Sequence, residues 1–247
     1  MLKKERQAHI IRQINLHNKV LSTDLSLQLN VSEDTIRRDL NELAESGAIL
    51  KVHGGALSKS FHSPFQGNEV YAREAKVKIA RKTLQLIQED MVLLTGGGTT
   101  MMELIHVLPD DLSATFFTIS PLIALELASH PKIEVILIGG NLSKNSHISM
   151  GSQVISFLSD IKVDMCLLGT NGISAERGLT DSDWEIVQVK KAMIRSANKP
   201  VLLSISEKLG SLQRMKVCEL NQVYALVTEL DPTDPSLDAY RPSLHLY

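Results

Sequence analysis

A short segment, residues 32–40, concentrates hydroxyl, carboxylate and guanidinium side chains on one predicted helix. Ser32 can cap that helix, because its hydroxyl can accept a free backbone N–H of the first turn. Ile36, Leu40 and Leu43 recur at the i, i+4, i+7 spacing of one buried face. The polar side chains off that face can hydrogen-bond base edges or phosphates: Thr35, Arg37 and Arg38. The segment by itself predicts a DNA-recognition helix or, equally well, a solvated surface helix.

The flanking segments favour the first of these interpretations. Residues 20–30 predict a short helix followed by a tight turn, which is helix-turn-helix spacing. Residues 10–14 carry the apolar face of an earlier helix, and residues 49–57 predict two short strands around a Gly-Gly turn. Three helices followed by a hairpin make a winged helix-turn-helix over residues 1–57. Lys51, near the hairpin turn, is expected to contact a phosphate.

This domain resembles the DeoR-type family of bacterial transcriptional regulators. The resemblance rests on ten positions in register: Arg6, Ile10, Ile14, Ser32, Thr35, Ile36, Arg37, Arg38, Asp39 and Leu40. The segment Lys51-Val52-His53-Gly54-Gly55-Ala56 that follows is also typical of the family. The resemblance implies a regulator that binds double-stranded operator DNA.

The charge balance limits how that DNA could be held. The chain has a formal net charge of −2, and residues 1–57 carry eight lysines and arginines against seven aspartates and glutamates, a formal charge of +1. Such a weak electrostatic footprint requires a few well-placed cations. It also favours two or more copies of the domain on one operator, so we expect a homo-oligomer.

Length and composition exclude several classes of protein. The 247 residues are 43% hydrophobic and 22% charged, which is an ordinary globular mixture. No apolar run reaches the roughly 18 residues of a membrane span, and the charged N-terminus has no apolar signal core, so we expect a cytoplasmic protein without membrane contact. Cys166 and Cys218, the only cysteines, are expected to be buried thiols. No cluster has metal-ligand spacing, and we expect neither a metal nor a cofactor.

A second domain, residues 71–247, follows a predicted linker at 58–70 that contains Ser, Gly and Pro and few aliphatic residues. Strands are predicted at 91–95, 115–119, 133–138, 165–168 and 201–204, and helices at 72–88, 100–107, 122–128 and 184–196. This alternation predicts a mostly parallel α/β domain with ligands at the carboxyl ends of its strands. The fold class is therefore α/β, preceded by a winged helix-turn-helix.

A glycine-threonine loop follows the first of these strands and opens a helix: Gly96, Gly97, Gly98, Thr99 and Thr100. Glycines let the backbone approach a ligand, and free N–H groups at a helix start attract anions. The loop is neither a Walker nor a dinucleotide motif, and by itself it predicts a phosphate cradle or only a tight turn. Lys208, after the last predicted strand, is the best-placed cation for a phosphate or acidic ligand.

These loops also resemble the effector domain of the DeoR-type family, which is similar to ribose-5-phosphate isomerase and glucosamine-6-phosphate deaminase. The resemblance implies that the second domain binds a phosphorylated sugar and adjusts DNA affinity. The positions that match family sites near the ligand are Gly98, Thr99, Thr100, Ser120, Gly151, Gly172, Lys190 and Lys208.

Three positions depart from the family pattern. Gly96 and Ile205 stand where the family usually has aspartate, and Ile119 stands where it usually has asparagine. A sugar hydroxyl buried without its partner costs roughly 1–3 kcal/mol. The sugar end of the site is therefore expected to be less polar than usual, which implies an unusual phosphosugar or a low affinity.

Three functions remain open at this point. The leading hypothesis is a non-enzymatic regulator, a repressor of a sugar-metabolism operon, with no prediction of whether the effector releases or strengthens DNA binding. The alternative is a sugar-phosphate isomerase or deaminase with an appended DNA-binding module, which would need a carboxylate base. Asp181, Asp183 and Glu185 are the clustered candidates for that base. A nucleotide-binding module is disfavoured by the missing Walker lysine.

Overall fold

The computed structural model describes residues 1–59 and 70–247, which fall into two compact units, Met1–Tyr71 and Ala72–Tyr247. The linker predicted at 58–70 lies outside the described residues except for its ends. Ser58, at one end, is fully buried, and its hydroxyl donates a hydrogen bond to Asn15 Oδ1 at 2.9 Å.

The first unit is a winged helix-turn-helix. Its helices are α1 (Lys3–His17), α2 (Ser22–Leu29) and α3 (Glu33–Glu45), and its strands are β1 (Lys19–Leu21), β2 (Leu50–Val52) and β3 (Gly55–Leu57). Ile10, Ile14, Leu25, Ile36 and Leu40 form the centre of its core. Their burial confirms the apolar helix faces read from the sequence.

The wing differs from the prediction, because residues 19–21 form a third strand instead of the start of a helix. Val20 pairs with Ala56, so the antiparallel order is β1-β3-β2. A Cβ added to Gly55 would lie 2.0 Å from the carbonyl oxygen of Val20, so only glycine permits this approach. The glycine pair therefore serves two purposes. Gly54 makes the turn at φ 74°, whereas Gly55 lies inside β3 and admits β1.

The second unit is built on one seven-stranded sheet with the order β15-β14-β12-β9-β4-β5-β6, in which every neighbouring pair is parallel. Its strands are β4 (Val92–Thr95), β5 (Ala114–Thr118), β6 (Ile133–Leu137), β9 (Val163–Gly169), β12 (Ala197–Leu203), β14 (Ala225–Val227) and β15 (His245–Leu246). The helices are α4 (Arg73–Leu84), α5 (Thr99–Ile105), α6 (Pro121–Leu127), α7 (Ser152–Ser159) and α8 (Trp184–Arg195). The parallel α/β prediction is confirmed.

The strand order reverses between β4 and β9, which lie side by side at the middle of the sheet. Strands β5 and β6 follow on one side of this pair, and β12, β14 and β15 follow on the other. At such a switch point the loops leave in opposite directions and open a crevice at the carboxyl ends of the strands.

Several short strands were not predicted. Strands β10 (Gly172–Ser174), β11 (Gly178–Asp181) and β13 (Met215–Cys218) form an antiparallel sheet, and β7 (Asn141–Leu142) pairs with β8 (Ser149–Met150). Strands β10 and β11 are buried along their whole length, so they lack the alternation that marks a half-buried strand. Within the described part of the chain, no helix is long and apolar enough to cross a membrane.

Both cysteines are buried free thiols, as predicted. Burial raises the pKa of the Cys218 thiol to about 11.

Candidate DNA-binding and effector sites

The recognition helix begins as its sequence predicts. The Ser32 hydroxyl accepts a hydrogen bond from the Thr35 backbone N–H at 3.2 Å and lies 2.9 Å from the Thr35 hydroxyl. Both side chains therefore stand at the helix N-terminus, where the dipole favours an anion such as a DNA phosphate. Gly47, at φ 76°, follows the end of the helix.

The three cationic side chains predicted to contact DNA differ in their hydrogen-bond and ion-pair partners. Arg37 is 62% exposed and lies 3.4 Å from Glu33 and 3.6 Å from Asp34 on its own helix. Lys51 donates a hydrogen bond to Asn41 Oδ1. Arg38 is exposed and makes no ion pair within residues 1–59 or 70–247. Arg38 can thus meet DNA without giving up a partner, whereas Arg37 must exchange carboxylates for DNA.

A buried ion pair joins the recognition helix to the first helix. Arg6 Nε lies 2.5 Å from Asp39 Oδ2, and Arg6 Nη2 lies 3.3 Å from Asp39 Oδ1. The Asp39 side chain is 2% exposed and the Arg6 side chain is 13% exposed. The hydrogen bonds that Arg6 donates to Asp39 raise the pKa of the Arg6 guanidinium. Asp39 interrupts the apolar face beside Leu40, and a carboxylate at such a position is the sequence signal of a buried ionic partner.

In the second unit, the glycine loop leaves β4 at the switch point. The Gly96 N–H donates to the carbonyl of Leu167 in β9 at 3.2 Å. Gly98 precedes α5 at φ 109°, a conformation that side chains disfavour. Thr99 and Thr100 are the first two residues of α5, so their backbone N–H groups face the loop. The predicted loop-to-helix geometry is present.

Two further segments border this loop. A Cβ added to Gly97 would lie 3.2 Å from the Ser120 hydroxyl and 3.0 Å from Ile148, so both side chains contact the loop backbone closely. The Ser120 hydroxyl accepts from the Ile123 N–H at 3.5 Å and caps α6. Gly151 caps α7 at φ 101°, which repeats the backbone conformation of Gly98.

Lys190 and Lys208 meet at the carboxyl end of β9. Lys208 Nζ donates to the carbonyl of Thr170 at 2.6 Å, and Lys190 Nζ donates to the carbonyl of Gly169 at 3.1 Å. Gly169 borders the glycine loop, since its added Cβ would lie 4.0 Å from the Gly97 carbonyl oxygen. The fold thus brings both predicted lysines beside the predicted loop.

The two ammonium groups lie in different electrostatic surroundings. Lys190 pairs with the fully buried carboxylate of Asp181 at 2.8 Å. The pKa of Lys208 is lowered to about 7, mainly by burial and also by the charges of Lys76 and Lys190, against the opposing effect of Asp181. A bound anion would relieve this repulsion and favour the charged form of Lys208.

The remaining predicted positions are packed into the protein. Gly172 lies in β10, and its added Cβ would clash with the Thr180 hydroxyl at 2.7 Å, so its small size serves strand packing.

The three positions that depart from the family pattern differ in their surroundings. Ile119 and Ile205 are 2% and 3% exposed and present no polar group. A Cβ added to Gly96 meets nothing within 4 Å, so the third departure leaves open space. The Thr95 hydroxyl beside it is buried and has no hydrogen-bond partner in the described residues.

A separate cavity of about 670 Å³ borders the other side of the Lys208 loop. Its lining includes Glu207, Leu209, Leu212 and Tyr240 but neither Lys208 nor the glycine loop. It therefore does not coincide with the predicted effector site.

Two family descriptions match the chain in the order of its two units. The description "DeoR-like helix-turn-helix domain" matches residues 6–61, and "DeoR C terminal sensor domain" matches residues 72–230. The chain belongs to the DeoR family.

Regulators of this family from several bacteria are similar along nearly the full chain. The transcriptional repressor GlcR of Bacillus subtilis is 34% identical over 96% of this chain and 93% of its own. The glycerol-3-phosphate regulon repressor of Escherichia coli is 30% identical over 93% and 92%. The L-fucose operon activator of Escherichia coli is 30% identical over 92% and 96%. This DeoR-family chain is therefore a DNA-binding transcriptional regulator with a small-molecule sensor domain.

Among solved structures, ribose 5-phosphate isomerase A from Methanocaldococcus jannaschii is similar with a TM-score of 0.39. It is 19% identical over 54% of this chain and 53% of its own.

The geometry also argues against an isomerase in this DeoR-family protein. Burial alone would raise the pKa of Asp181, but the charge of Lys190 and hydrogen bonds from Lys190, Asn171 and the Ser182 N–H lower it. Asp183 caps α8 by accepting from the Glu185 and Ile186 N–H groups, and Glu185 is exposed. The pKa of Asp181 is thus held below its ordinary value, which does not suit a general base, and Asp183 is engaged in capping a helix.

Proposed function

We propose that this DeoR-family regulator represses a sugar-metabolism operon and that a phosphorylated sugar modulates its affinity for operator DNA. The observation that carries the proposal is the convergence of Lys190, Lys208 and the glycine loop at the switch point of the sensor sheet. Two of the relatives named above are repressors, and one of them is named for a glycerol-3-phosphate regulon. Since a regulator that binds operator DNA acts where that DNA lies, we place this activity in the cytoplasm.

In this proposal, α3 and the wing contact the DNA. Ser32 and Thr35, at the start of α3, would bind a phosphate. The exposed Arg37 and Arg38 would reach base edges. Lys51, one strand residue before the wing turn, would bind a phosphate next to α3.

The first prediction separates these roles. Arg38→Ala and Arg37→Ala are each expected to weaken specific operator binding by about 1–3 kcal/mol, because each removes a base-reading group. Lys51→Met is expected to weaken specific and nonspecific DNA alike and to reduce the salt slope by about one unit. Fluorescence anisotropy over a salt series measures both effects. Operator affinity that stays unchanged in both arginine variants would contradict the proposed interface.

The effector would lie across the carboxyl ends of β4 and β9. The phosphate would be held by backbone N–H groups and hydroxyls of the glycine loop, which comprises Gly96, Gly97, Gly98, Thr99 and Thr100. Lys190 and Lys208 would lie on the opposite side of the phosphate. Ser120, Gly151 and Gly172 would shape the surrounding site without charge. Open space at Gly96 and the free Thr95 hydroxyl favour a ligand with a polar group beyond its phosphate.

We also propose that the regulator works as a homo-oligomer, because one recognition helix on a unit of formal charge +1 is a poor binder by itself. Sedimentation on an operator with two half-sites tests this. A stable monomer that binds a single half-site tightly would refute it.

The second prediction tests sensing through reciprocity. A phosphosugar that shifts operator affinity should do so by about 1–3 kcal/mol, and operator DNA must shift the phosphosugar affinity by the same factor. Calorimetry with and without operator, over a panel of phosphosugars and their unphosphorylated sugars, measures both directions. Turnover of any phosphosugar, or equal responses to the unphosphorylated sugars, would count against a phosphosugar sensor.

A further inference from the structure

One edge of the sensor sheet carries backbone groups that no neighbouring strand uses. Strand β6 stands at the end of the strand order and, within the described residues, pairs with β5 alone. The Ile138 N–H donates to the Thr118 carbonyl at 2.8 Å, which fixes which β6 residues face β5. In a parallel ladder those residues alternate, so the N–H and C=O groups of the intervening residues point outward: Ile133, Val135 and Leu137. These donors and acceptors are open to another strand.

The usual protections of a sheet edge are largely missing from β6. Natural edges are protected by short strands, proline, bulges or several charges. The opposite edge of this sheet, β15, is two residues long. Strand β6 has five residues, contains neither proline nor glycine, and pairs with β5 without a register shift. Its single charged side chain, Glu134, lies on the other face from the side chains of Ile133 and Val135.

The side chains along this edge are apolar and incompletely covered. Leu137 is 47% exposed, and Ile133 and Val135 are half-buried. The strands of an all-parallel sheet are normally buried on both faces. Helix α6 packs against β6, and its Leu125 is 68% exposed. Apolar surface therefore continues from the last strand to the helix beside it.

We propose that β6 pairs antiparallel with β6 of a second copy of this chain, so that two sensor domains share one continuous sheet. The inference rests on the homo-oligomer of the proposed function and names its interface. A two-fold axis at Val135 sets this residue opposite itself and Ile133 opposite Leu137 of the other copy. Every outward N–H then donates to an outward carbonyl, because these become the hydrogen-bonded pairs of the ladder. An axis at Glu134 would instead set Leu137 opposite Pro131, which has no N–H.

Two features favour an identical strand over any other partner. An isologous contact requires a self-complementary surface, and the outward groups of β6 are symmetric about Val135, with aliphatic side chains at both ends. The proposed operator binding also requires two copies, one for each half-site. The same axis would set the α6 helices of both copies on one face of the sheet and bury the two Val135 side chains against each other.

Cysteine cross-linking tests the pairing and its register. In the proposed dimer the Val135 Cα atoms of the two copies lie about 5.5 Å apart, within disulfide range. The Glu134 positions lie diagonally, about 7–8 Å apart, beyond the limit of roughly 7 Å. Val135→Cys should therefore form a disulfide-linked dimer under mild oxidation, whereas Glu134→Cys, at a more exposed position, should not. Both native cysteines are buried, and the parent measures their background.

A proline at the same position tests the consequence for DNA binding. The Val135 N–H faces away from β5, so Val135→Pro removes no hydrogen bond from its own sheet. This variant should sediment as a monomer. It should bind an operator with two half-sites about 100-fold more weakly than the parent, since linked sites commonly gain 10²- to 10⁴-fold, and a single half-site equally well. Val135→Thr, which keeps the N–H and the branched side chain, is the matched control and should sediment like the parent.

The outcomes separate this interface from the proposed function. A parent that sediments as a dimer while Val135→Cys fails to cross-link, or cross-links no better than Glu134→Cys, would overturn the β6 interface and leave the homo-oligomer standing. A parent that stays monomeric with and without operator would refute the homo-oligomer together with its interface. If Val135→Pro lowers the melting temperature, the two cysteine variants decide.

Discussion

Replacing Asp39 with alanine is expected to destabilise the first unit by about 3 kcal/mol. Removing one partner of a buried ion pair leaves the other charge desolvated, which costs about 3–5 kcal/mol. The lower end applies because the Arg6 side chain, 13% exposed, can partly reach water. Hydrogen exchange at the amides of α1 and α3 measures the loss, with the second unit as an internal reference.

Two controls separate the ion pair from general damage. Glu42→Ala breaks the neighbouring pair between Glu42 and Lys3, whose side chains are 47% and 54% exposed, and should destabilise the unit far less than Asp39→Ala. The double variant Arg6→Met/Asp39→Leu should be more stable than Asp39→Ala, because no charge is left buried. Unchanged exchange in Asp39→Ala would show that the pair does not hold the recognition helix.

The same variant should lose operator affinity at temperatures where its first unit is still folded. Asp39 faces α1 and contacts no DNA in the proposed interface, so this loss would come from a displaced α3. Because Asp39→Ala retains Arg38, a loss of operator affinity would report a change in the orientation of α3 and not the loss of a DNA-contacting side chain.

Lys208→Met is expected to weaken the effector by roughly 1.5–3 kcal/mol, the range for a hydrogen bond to a charged group. Operator binding without effector should persist, because the winged helix lies in the other unit. The melting temperature should not fall, since folding depresses the pKa of Lys208 and the protein therefore bears a cost for that cation below pH 7. Lys216→Met, at a surface pair with Glu219, is the matched control.

The affinity for the effector should depend on pH in a defined direction. The cationic form of Lys208 binds the anion, so effector affinity should fall as pH rises above its pKa of about 7. Linkage limits the decline to about tenfold per pH unit for each proton taken up. Calorimetric titrations between pH 6.5 and 8.5, with a flatter profile in Lys208→Met, would support the assignment. A Lys208→Met protein with the parental response and the parental profile would refute it.

Local patterns predicted the recognition helix well. Its cap at Ser32, its buried face at Ile36 and Leu40 and the terminating Gly47 all depend on residues within one or two turns. The same patterns misread residues 19–21, because Val20 becomes a strand only through pairing with Ala56, more than thirty residues away. Local propensity carries no information about that partner.

The α/β class and the glycine loop were also readable from the sequence. Alternating apolar strands and amphipathic helices imply a parallel sheet, and three glycines before two threonines imply a loop that enters a helix. The short buried strands β10 and β11 were missed, since a segment buried on both faces has no alternation to detect.

The sequence by itself determined the family, the two-part organisation and the residue types of both sites. Only the tertiary structure decided which of those residues meet. It set Lys190 on the carbonyl of Gly169, the last residue of β9, and Lys208 on the carbonyl of the next residue, Thr170, and it packed Gly172 into a strand. It also joined Arg6 to Asp39. These are contacts between distant segments, and their energies come from burial and charge at close range, which a linear pattern does not contain.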